Sequence, residues 1–253
     1  MQHMLAYADS VSLPTLIIGK GSNCLFDDRG FNGLAILNRI DYLTQDKGLF
    51  QAGAGYSFAR LGSITVKRGW TGLEFASGIP ATVGGAIYMN AGANGGETCA
   101  KLIEVGYVTP VGELVRLKRG DLTFSYRFSS FQEKRGVIVE GVFQLCPSEG
   151  AKQVQKELLG YRLKTQPYGE KSAGCAFRNP PALSAGKLIE ECGLKQALIG
   201  GALVSGVHAN FIVNVGGASS QDVLDLMKRV KECVYNEKGI ILEEEIRYIP
   251  YEP

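Results

Sequence analysis

Histidine and tryptophan are almost missing from this 253-residue chain, which has two histidines, His3 and His208, and one tryptophan, Trp70. A metal centre built on imidazoles is excluded on that count, and no metal is expected; a relay of the Ser-His-Asp type would have to run through His208. An excess of one charge is missing too. Lys plus Arg number 27 against 25 Asp plus Glu, a net charge of +2, and no dense basic cluster occurs. Nucleic-acid binding, which needs basic patches and stacking aromatics, is therefore not expected. No apolar run qualifies as a membrane span: the longest, Ala197 to Ala218, is interrupted by His208, Asn210, Asn214 and several glycines. The opening MQHMLAYADS lacks a basic region followed by an apolar core, so no signal peptide is expected and the reading is cytoplasmic. The six cysteines (Cys24, Cys99, Cys146, Cys175, Cys192, Cys233) include no CxxC pair, the pattern of free thiols rather than of a disulfide framework.

Glycine is what the chain has in excess: 33 of 253 residues, about twice the usual share of ~7%. They concentrate in residues 75–96, FASGIPATVGGAIYMNAGANGG, punctuated by Pro80, Tyr88, Asn90 and Asn94. Without a Cβ the backbone can take positive φ and approach another group closely, and the N–H groups so freed suit a phosphate or a flat ring. The plain alternative is a tightly turning loop that holds nothing.

Along the chain, Pro14 to Gly19 reads as a buried strand that delivers into Gly19-Lys-Gly-Ser-Asn23. That is a GxG turn only, because Cys24 stands where a fuller motif has its last glycine. A second strand is expected over Leu34–Leu37, β character over 48–58, and a helix over Ser57–Lys67 with Phe58, Leu61 and Ile64 on one face. Ile103–Thr109 and Glu113–Lys118 read as a hairpin around Pro-Val-Gly, and Gly136–Leu145 as another strand. A helix over Ala151–Lys164 carries Val154, Leu158 and Leu159 and ends before Pro167. Ser184 caps a short helix stopping at Gly193. Ser219 and Asp222 form a capping box for a long helix with Val223, Leu226, Met227, Val230 and Val234, ended by Gly239. A last strand is expected from Ile240 to Ile249. The class is α+β, strand-rich through Leu145 and helix-rich after it.

Three polar constellations stand apart from this scaffold. Cys175 follows Ser-Ala-Gly and precedes Arg178-Asn179-Pro180; it is either a buried structural thiol or, since a free thiol titrates near ~8.5, a proton donor at neutrality. Glu243, Glu244 and Glu245 run together before Arg247, and strand alternation would set Glu243 and Glu245 on one side. Tyr126 and Arg127 form a polar pair within Phe124-Ser-Tyr-Arg-Phe128.

Seven stretches in one order resemble a single family: GKGSN (19–23), SGIPATVGGAIYMNAGA (77–93), SYRFS (125–129), SAGCAFRNP (172–180), SAGKLIEECGL (184–194), HANFIVN (208–214) and LEEEIR (242–247). The family is UDP-N-acetylenolpyruvoylglucosamine reductase, also called UDP-N-acetylmuramate dehydrogenase, and the similarity runs from about Pro14 to Arg247. It implies a peroxidase-type FAD-binding domain in two subdomains plus a smaller α+β substrate-binding domain. The corresponding boundaries are 1–47, joined by a C-terminal strand at 246–253, then 48–164, then 165–245. It implies non-covalent FAD, NADPH as co-substrate and UDP-N-acetylglucosamine enolpyruvate as substrate, in peptidoglycan precursor synthesis.

Carried over by position, the resemblance makes Cys175 the proton donor, Glu245 the catalytic glutamate and Arg127 the arginine that stabilises the same developing charge. Flavin contacts are implied for Gly19, Gly21, Ser22, Asn23, Ser77, Gly78, Ile79, Gly84, Gly85, Asn90 and Gly92. Tyr126, Arg162, Asn179 and His208 match substrate or pocket positions. Ala81 stands where the family often has glycine. The short passage from Arg162 to Cys175 resembles the subgroup without an inserted substrate loop. The strand and helix that usually open the family, with Asn-Thr-x-x-Ile-Gly-Gly, do not precede Pro14. Two other readings remain open from the residues: a related FAD oxidase of the same fold with another substrate, often with tethered flavin, and a non-catalytic nucleotide-binding module.

Overall fold

Val137–Gln144 is the longest strand and the middle of a five-stranded antiparallel sheet. The computed structural model that contains it describes residues 1–253. From one edge the strands run Leu114–Lys118, Leu102–Val108, Val137–Gln144, Leu49–Gly53 and Leu43–Asp46. The Leu114–Lys118 edge alternates between half-buried and exposed, the pattern of a strand with one wet face. Val137–Gln144 is buried almost throughout. Helices α1 (Gln2–Ser10), α2 (Phe58–Lys67) and α3 (Val83–Tyr88) belong with this sheet. Ser57 caps α2 by accepting from the Arg60 N–H at 3.4 Å, and Thr82 caps α3 by accepting from Gly85 N–H at 3.2 Å. α3 rests on Val137–Gln144 where Gly141 leaves room; a Cβ there would stand 2.6 Å from Ile87 Cδ1. Phe50, Phe58, Leu61, Leu73, Val83, Ile87, Val105 and Phe143 form the core.

The chain divides into two compact units, Met1–Lys20 with Gly33–Tyr161, and Gly21–Asn32 with Arg162–Pro253. The second is built on a four-stranded antiparallel sheet ordered Ser172–Cys175, Phe211–Asn214, Ala202–Val204, Leu198–Ile199. Two further helices pack on it, α5 (Ala185–Glu191) and α6 (Ser220–Lys238), following α4 (Ala151–Thr165) in the chain. Phe177, Ile189, Val204, Leu226, Val230, Val234 and Leu242 fill its core. The capping box is present: Ser219 Oγ accepts from Asp222 N–H at 3.1 Å while Asp222 accepts from Ser219 N–H at 2.9 Å. Gly239 closes α6 at φ +67°. Gly21–Asn32 joins this unit because Cys24–Phe26 pairs in parallel with Arg247–Ile249 and Asp28 accepts from Ser220 N–H at 2.8 Å.

One expectation is corrected. The last strand is Arg247–Ile249 only. Ile241 is exposed, and residues 243–246 bond to Ala176 and Arg178 through single contacts and one bridge, Phe177 with Glu244, rather than a continuous ladder. Of the three glutamates, Glu243 pairs with Arg178 at 3.6 Å and Glu244 with Lys231 at 2.9 Å. In α4, Val154 is exposed, and Ala151 is the buried residue. α1 was not foreseen; it has no side-chain cap and is held through Leu5, which packs with Ile36, Val108 and Val137.

Candidate active site

In the first unit the glycine stretch converges with two other turns. An added Cβ on Gly19 would collide with the Thr82 hydroxyl, so the first glycine turn closes directly on the N-cap of α3. Val83 N–H donates to Tyr56 C=O at 2.9 Å, Gly84 N–H to Ala54 C=O at 2.8 Å, and Phe58 N–H to Ala81 C=O at 3.0 Å, which sew residues 54–58 to 81–84. Lys20 Nζ reaches Ser57 Oγ at 3.4 Å. Ile79, Ala81, Tyr88 and Ala91 lie at the edge of the core, only partly covered. Ser77 Oγ accepts from Gln155 Nε2 at 2.5 Å. Gly92 pairs with Glu97 in a short hairpin too tight for a side chain.

Arg127 is tied to the same stretch. Tyr126 and Arg127 make the two-residue tip between Phe124–Ser125 and Phe128–Ser129. Arg127 sits at φ +57°, a left-handed conformation that glycine or asparagine usually fills. Ser129 Oγ and Gln132 Nε2 both donate to Tyr88 C=O, at 2.7 and 2.9 Å, and Gln132 also donates to Arg127 C=O at 3.0 Å. Asn90, fully buried, donates to Ser125 C=O at 2.9 Å and accepts from Cys99 N–H at 3.1 Å. Its side chain thus clamps the arginine's hairpin to the glycine stretch. The guanidinium lies 4.9 Å from the Tyr126 ring centroid.

In the second unit the structure brings Cys175 and Glu245 together. Cys175 ends the Ser172–Cys175 strand after a bulge at which Gly174 takes φ +81°. Ala176 C=O, one residue further, accepts Glu245 N–H at 2.8 Å. Glu245 C=O accepts from Asn23 Nδ2 at 3.1 Å, and Arg247 N–H donates to Asn23 C=O at 3.0 Å. Ser22 C=O lies 3.8 Å from the position a Gly174 Cβ would take. Gly21, Ser22 and Asn23 therefore stand in the unit of Cys175 and Glu245, whereas Gly19 stands in the other. Both Cys175 and Glu245 are half-buried.

Asn210 is the residue that sequence reasoning missed. Buried to 2% exposure, it accepts from Phe177 N–H at 3.0 Å and donates to Phe177 C=O at 2.7 Å, while its own C=O accepts from Ala176 N–H at 2.7 Å. A buried polar residue inside an apolar HANFIVN run was its only signal. His208 places Nδ1 as acceptor of Asn210 N–H at 3.2 Å, and burial pushes its pKa down, so the ring is neutral. Asn179 Oδ1 accepts from Ala185 N–H at 3.0 Å at the start of α5. Arg162 bonds Gln166 Oε1 through Nε and Nη2, at 3.2 and 2.9 Å, while its Nη1 is buried without a partner. A buried guanidinium donor left open suits an anionic or carbonyl ligand group.

Comparison with known proteins gives these clusters their class. An FAD binding domain family model matches residues 1–118, which covers both glycine turns, and the chain is an FAD-dependent oxidoreductase of α+β fold. The family model described as UDP-N-acetylenolpyruvoylglucosamine reductase, C-terminal domain, matches residues 166–249. The reductase of that name from Protochlamydia amoebophila is 57% identical over 100% of this chain and 85% of its own length. The one from Chlamydia muridarum is 46% identical over 99% of this chain and 84% of its own. A crystal structure of the reductase from Thermus caldophilus superposes with TM-score 0.84 at 36% identity, covering 99% of this chain and 90% of that one. The chain belongs to the UDP-N-acetylenolpyruvoylglucosamine reductase family.

The residues of the first unit fit FAD. The Gly19 turn admits no side chain beside Thr82, Lys20 supplies a cation beside Ser57, and the half-covered Ile79, Ala81, Tyr88 and Ala91 offer apolar surface for a ring. No helix is long and apolar enough to cross a membrane.

Proposed function

We propose that this chain reduces the enolpyruvyl ether of UDP-N-acetylglucosamine to the lactyl ether of UDP-N-acetylmuramate with NADPH, in the cytoplasm, as a step of peptidoglycan precursor synthesis. FAD, held without a covalent bond, would supply two-electron transfer between NADPH and the substrate double bond. Gly19, Gly21, Ser22, Asn23, Ser77, Gly78, Ile79, Gly84, Gly85 and Gly92 are the proposed cofactor positions, while Asn90, which the resemblance grouped with them, is fully buried and spends its side chain on Ser125 and Cys99. The three-part division at 47, 164 and 245 is retained as part of the same proposal.

The chemistry asks two things of the protein. Reduction at the β-carbon leaves negative charge delocalised from the α-carbon into the carboxylate, and the α-carbon then needs a proton. Arg127 meets the carboxylate with a planar, permanently charged fork. Glu245, protonated, donates a hydrogen bond to the developing enolate. Cys175 gives its Sγ proton to the α-carbon, a task suited to a thiol, which is protonated near neutrality. Tyr126, Arg162, Asn179 and His208 bind substrate, Arg162 through its open Nη1.

The Glu245 N–H bond to Ala176 C=O carries this reading, because it seats the two proposed acid groups at adjoining backbone positions 70 residues apart in sequence. The test is spectroscopic. The purified protein should be yellow, lose colour with NADPH, and regain it with the enolpyruvyl sugar nucleotide but not with UDP-N-acetylglucosamine. Denaturation should release the flavin. A protein that takes up no FAD, or that is reoxidised equally by both nucleotides, would overturn the proposal.

A further inference from the structure

Two of the free thiols meet at the surface of the second unit, away from the residues given roles above. Cys192 is the C-cap of α5, and Cys233 and Glu237 lie one turn apart on α6, the helix against which α5 packs. The two sulfur atoms and a Glu237 carboxylate oxygen all lie within 4.8 Å of one another, and Cys233 Sγ is 3.5 Å from Glu237 Oε1. Forty residues separate the cysteines, so no motif spacing announces the cluster.

We infer that Cys192, Cys233 and Glu237 form a binding site for one thiophilic divalent cation of the zinc class, with water completing a tetrahedron. A tetrahedral site with metal–sulfur bonds of ~2.3 Å and metal–oxygen bonds of ~2.0–2.2 Å sets neighbouring ligand atoms roughly 3.5–3.8 Å apart. The observed spread reaches that geometry with side-chain rotations, because Glu237 is exposed and flexible while both thiols are half-buried on packed helices. Sulfur ligands select zinc-class ions over magnesium or calcium.

A neighbouring cation, Lys238, is engaged by Glu191 at 3.2 Å. A divalent cation binds the thiolate form of each cysteine and so replaces both thiol protons. Binding forms two metal–sulfur bonds, breaks two S–H bonds, releases two protons to solvent and moves no electrons.

Titration of the reduced, FAD-loaded full chain with Cd2+ tests this, read by the thiolate-to-cadmium ultraviolet band and by proton release. One Cd2+ should bind per chain with about two protons released, and Zn2+ should compete it away while Mg2+ should not. Cys192→Ser with Cys233→Ser should abolish the band while the flavin spectrum and reductase rate stay as in the parent. Glu237→Gln, a surface change that leaves folding intact, should weaken binding roughly tenfold. A band and stoichiometry unchanged in the double variant, an unchanged affinity in Glu237→Gln, or no band up to about millimolar Cd2+ would each overturn the site.

Discussion

Asn23 donates its side-chain amide to the backbone carbonyl of Glu245 at 3.1 Å, across 222 residues of sequence. With Arg247 N–H returning to Asn23 C=O, the bond fixes the segment that carries Glu245 beside Ala176 and so beside Cys175. Asn23→Ala removes the side-chain donor to a half-buried carbonyl, a loss of about 1 kcal/mol. Misplacement of a reacting group by ~1 Å costs on the order of a hundredfold in rate. Rapid mixing should show flavin reduction by NADPH within a few-fold of the parent and reoxidation by substrate slowed at least tenfold. Equal slowing of both half-reactions would mean that Asn23 acts on the cofactor alone.

Cys175 separates the half-reactions more sharply. General acid catalysis is worth roughly 10²–10⁴ in rate. Cys175→Ala should reduce reoxidation of the flavin by substrate by that factor and leave reduction by NADPH nearly unchanged. Cys175→Ser keeps a donor at the same place and should retain substantial turnover. If the Ala variant reoxidised at the parent rate, the proton would come from elsewhere.

Arg127 holds a backbone conformation that its side chain disfavours. Arg127→Gly relieves about 1–2 kcal/mol of left-handed strain and removes the planar fork proposed to meet the substrate carboxylate. Turnover should fall by orders of magnitude while the protein still unfolds cooperatively in urea, and Arg127→Lys, which keeps charge but not the fork, should recover only part of it. A large drop in unfolding midpoint for the glycine variant would assign Arg127 to structure rather than to substrate.

The legible parts of the fold were those whose cause lies within a few residues. Ser57, Ser184 and Ser219 each cap the expected helix, and Gly239 ends α6 in the left-handed turn that glycine permits. The hairpin at residues 102–118 follows from two apolar runs around one turn. What stayed hidden depends on partners far along the chain. The pairing of Gly21–Asn32 with Arg247–Ile249 was expected only through the resemblance, which joined a C-terminal strand at 246–253 to residues 1–47, and no local residue announces it; α1 has neither cap nor strong periodicity. In the candidate site, Cys175, Glu245 and Arg127 were legible through family motifs. The supports, Asn210 holding Phe177 and Asn90 holding the Arg127 hairpin, were not, because an asparagine in a loop looks alike whether it meets a ligand or the protein's own backbone.

Two kinds of group in the second unit give its acid stability two separate windows. Burial lowers the pKa of His208, so the native state holds the ring neutral while the unfolded chain takes up a proton near ~6.5. The unfolded state binds more protons there, and stability must fall as pH drops through ~6.5 toward the lower native value. Asp27, lowered chiefly by hydrogen bonds from the Arg29 guanidinium and then from Tyr248, and Asp222, lowered by the N–H and hydroxyl of Ser219, follow the same sign at lower pH. Their stabilisation is present above the unfolded carboxylate value of ~3.9 and is lost as pH falls below it toward their native values. Urea midpoints measured from pH 8 to pH 3 should show one decline setting in below about 6.5 and a second setting in below about 4. His208→Gln should flatten the first and leave the second, and Asp222→Asn should leave the first and shrink the second to the part that Asp27 carries. A first decline that survives in His208→Gln would mean that another group carries it.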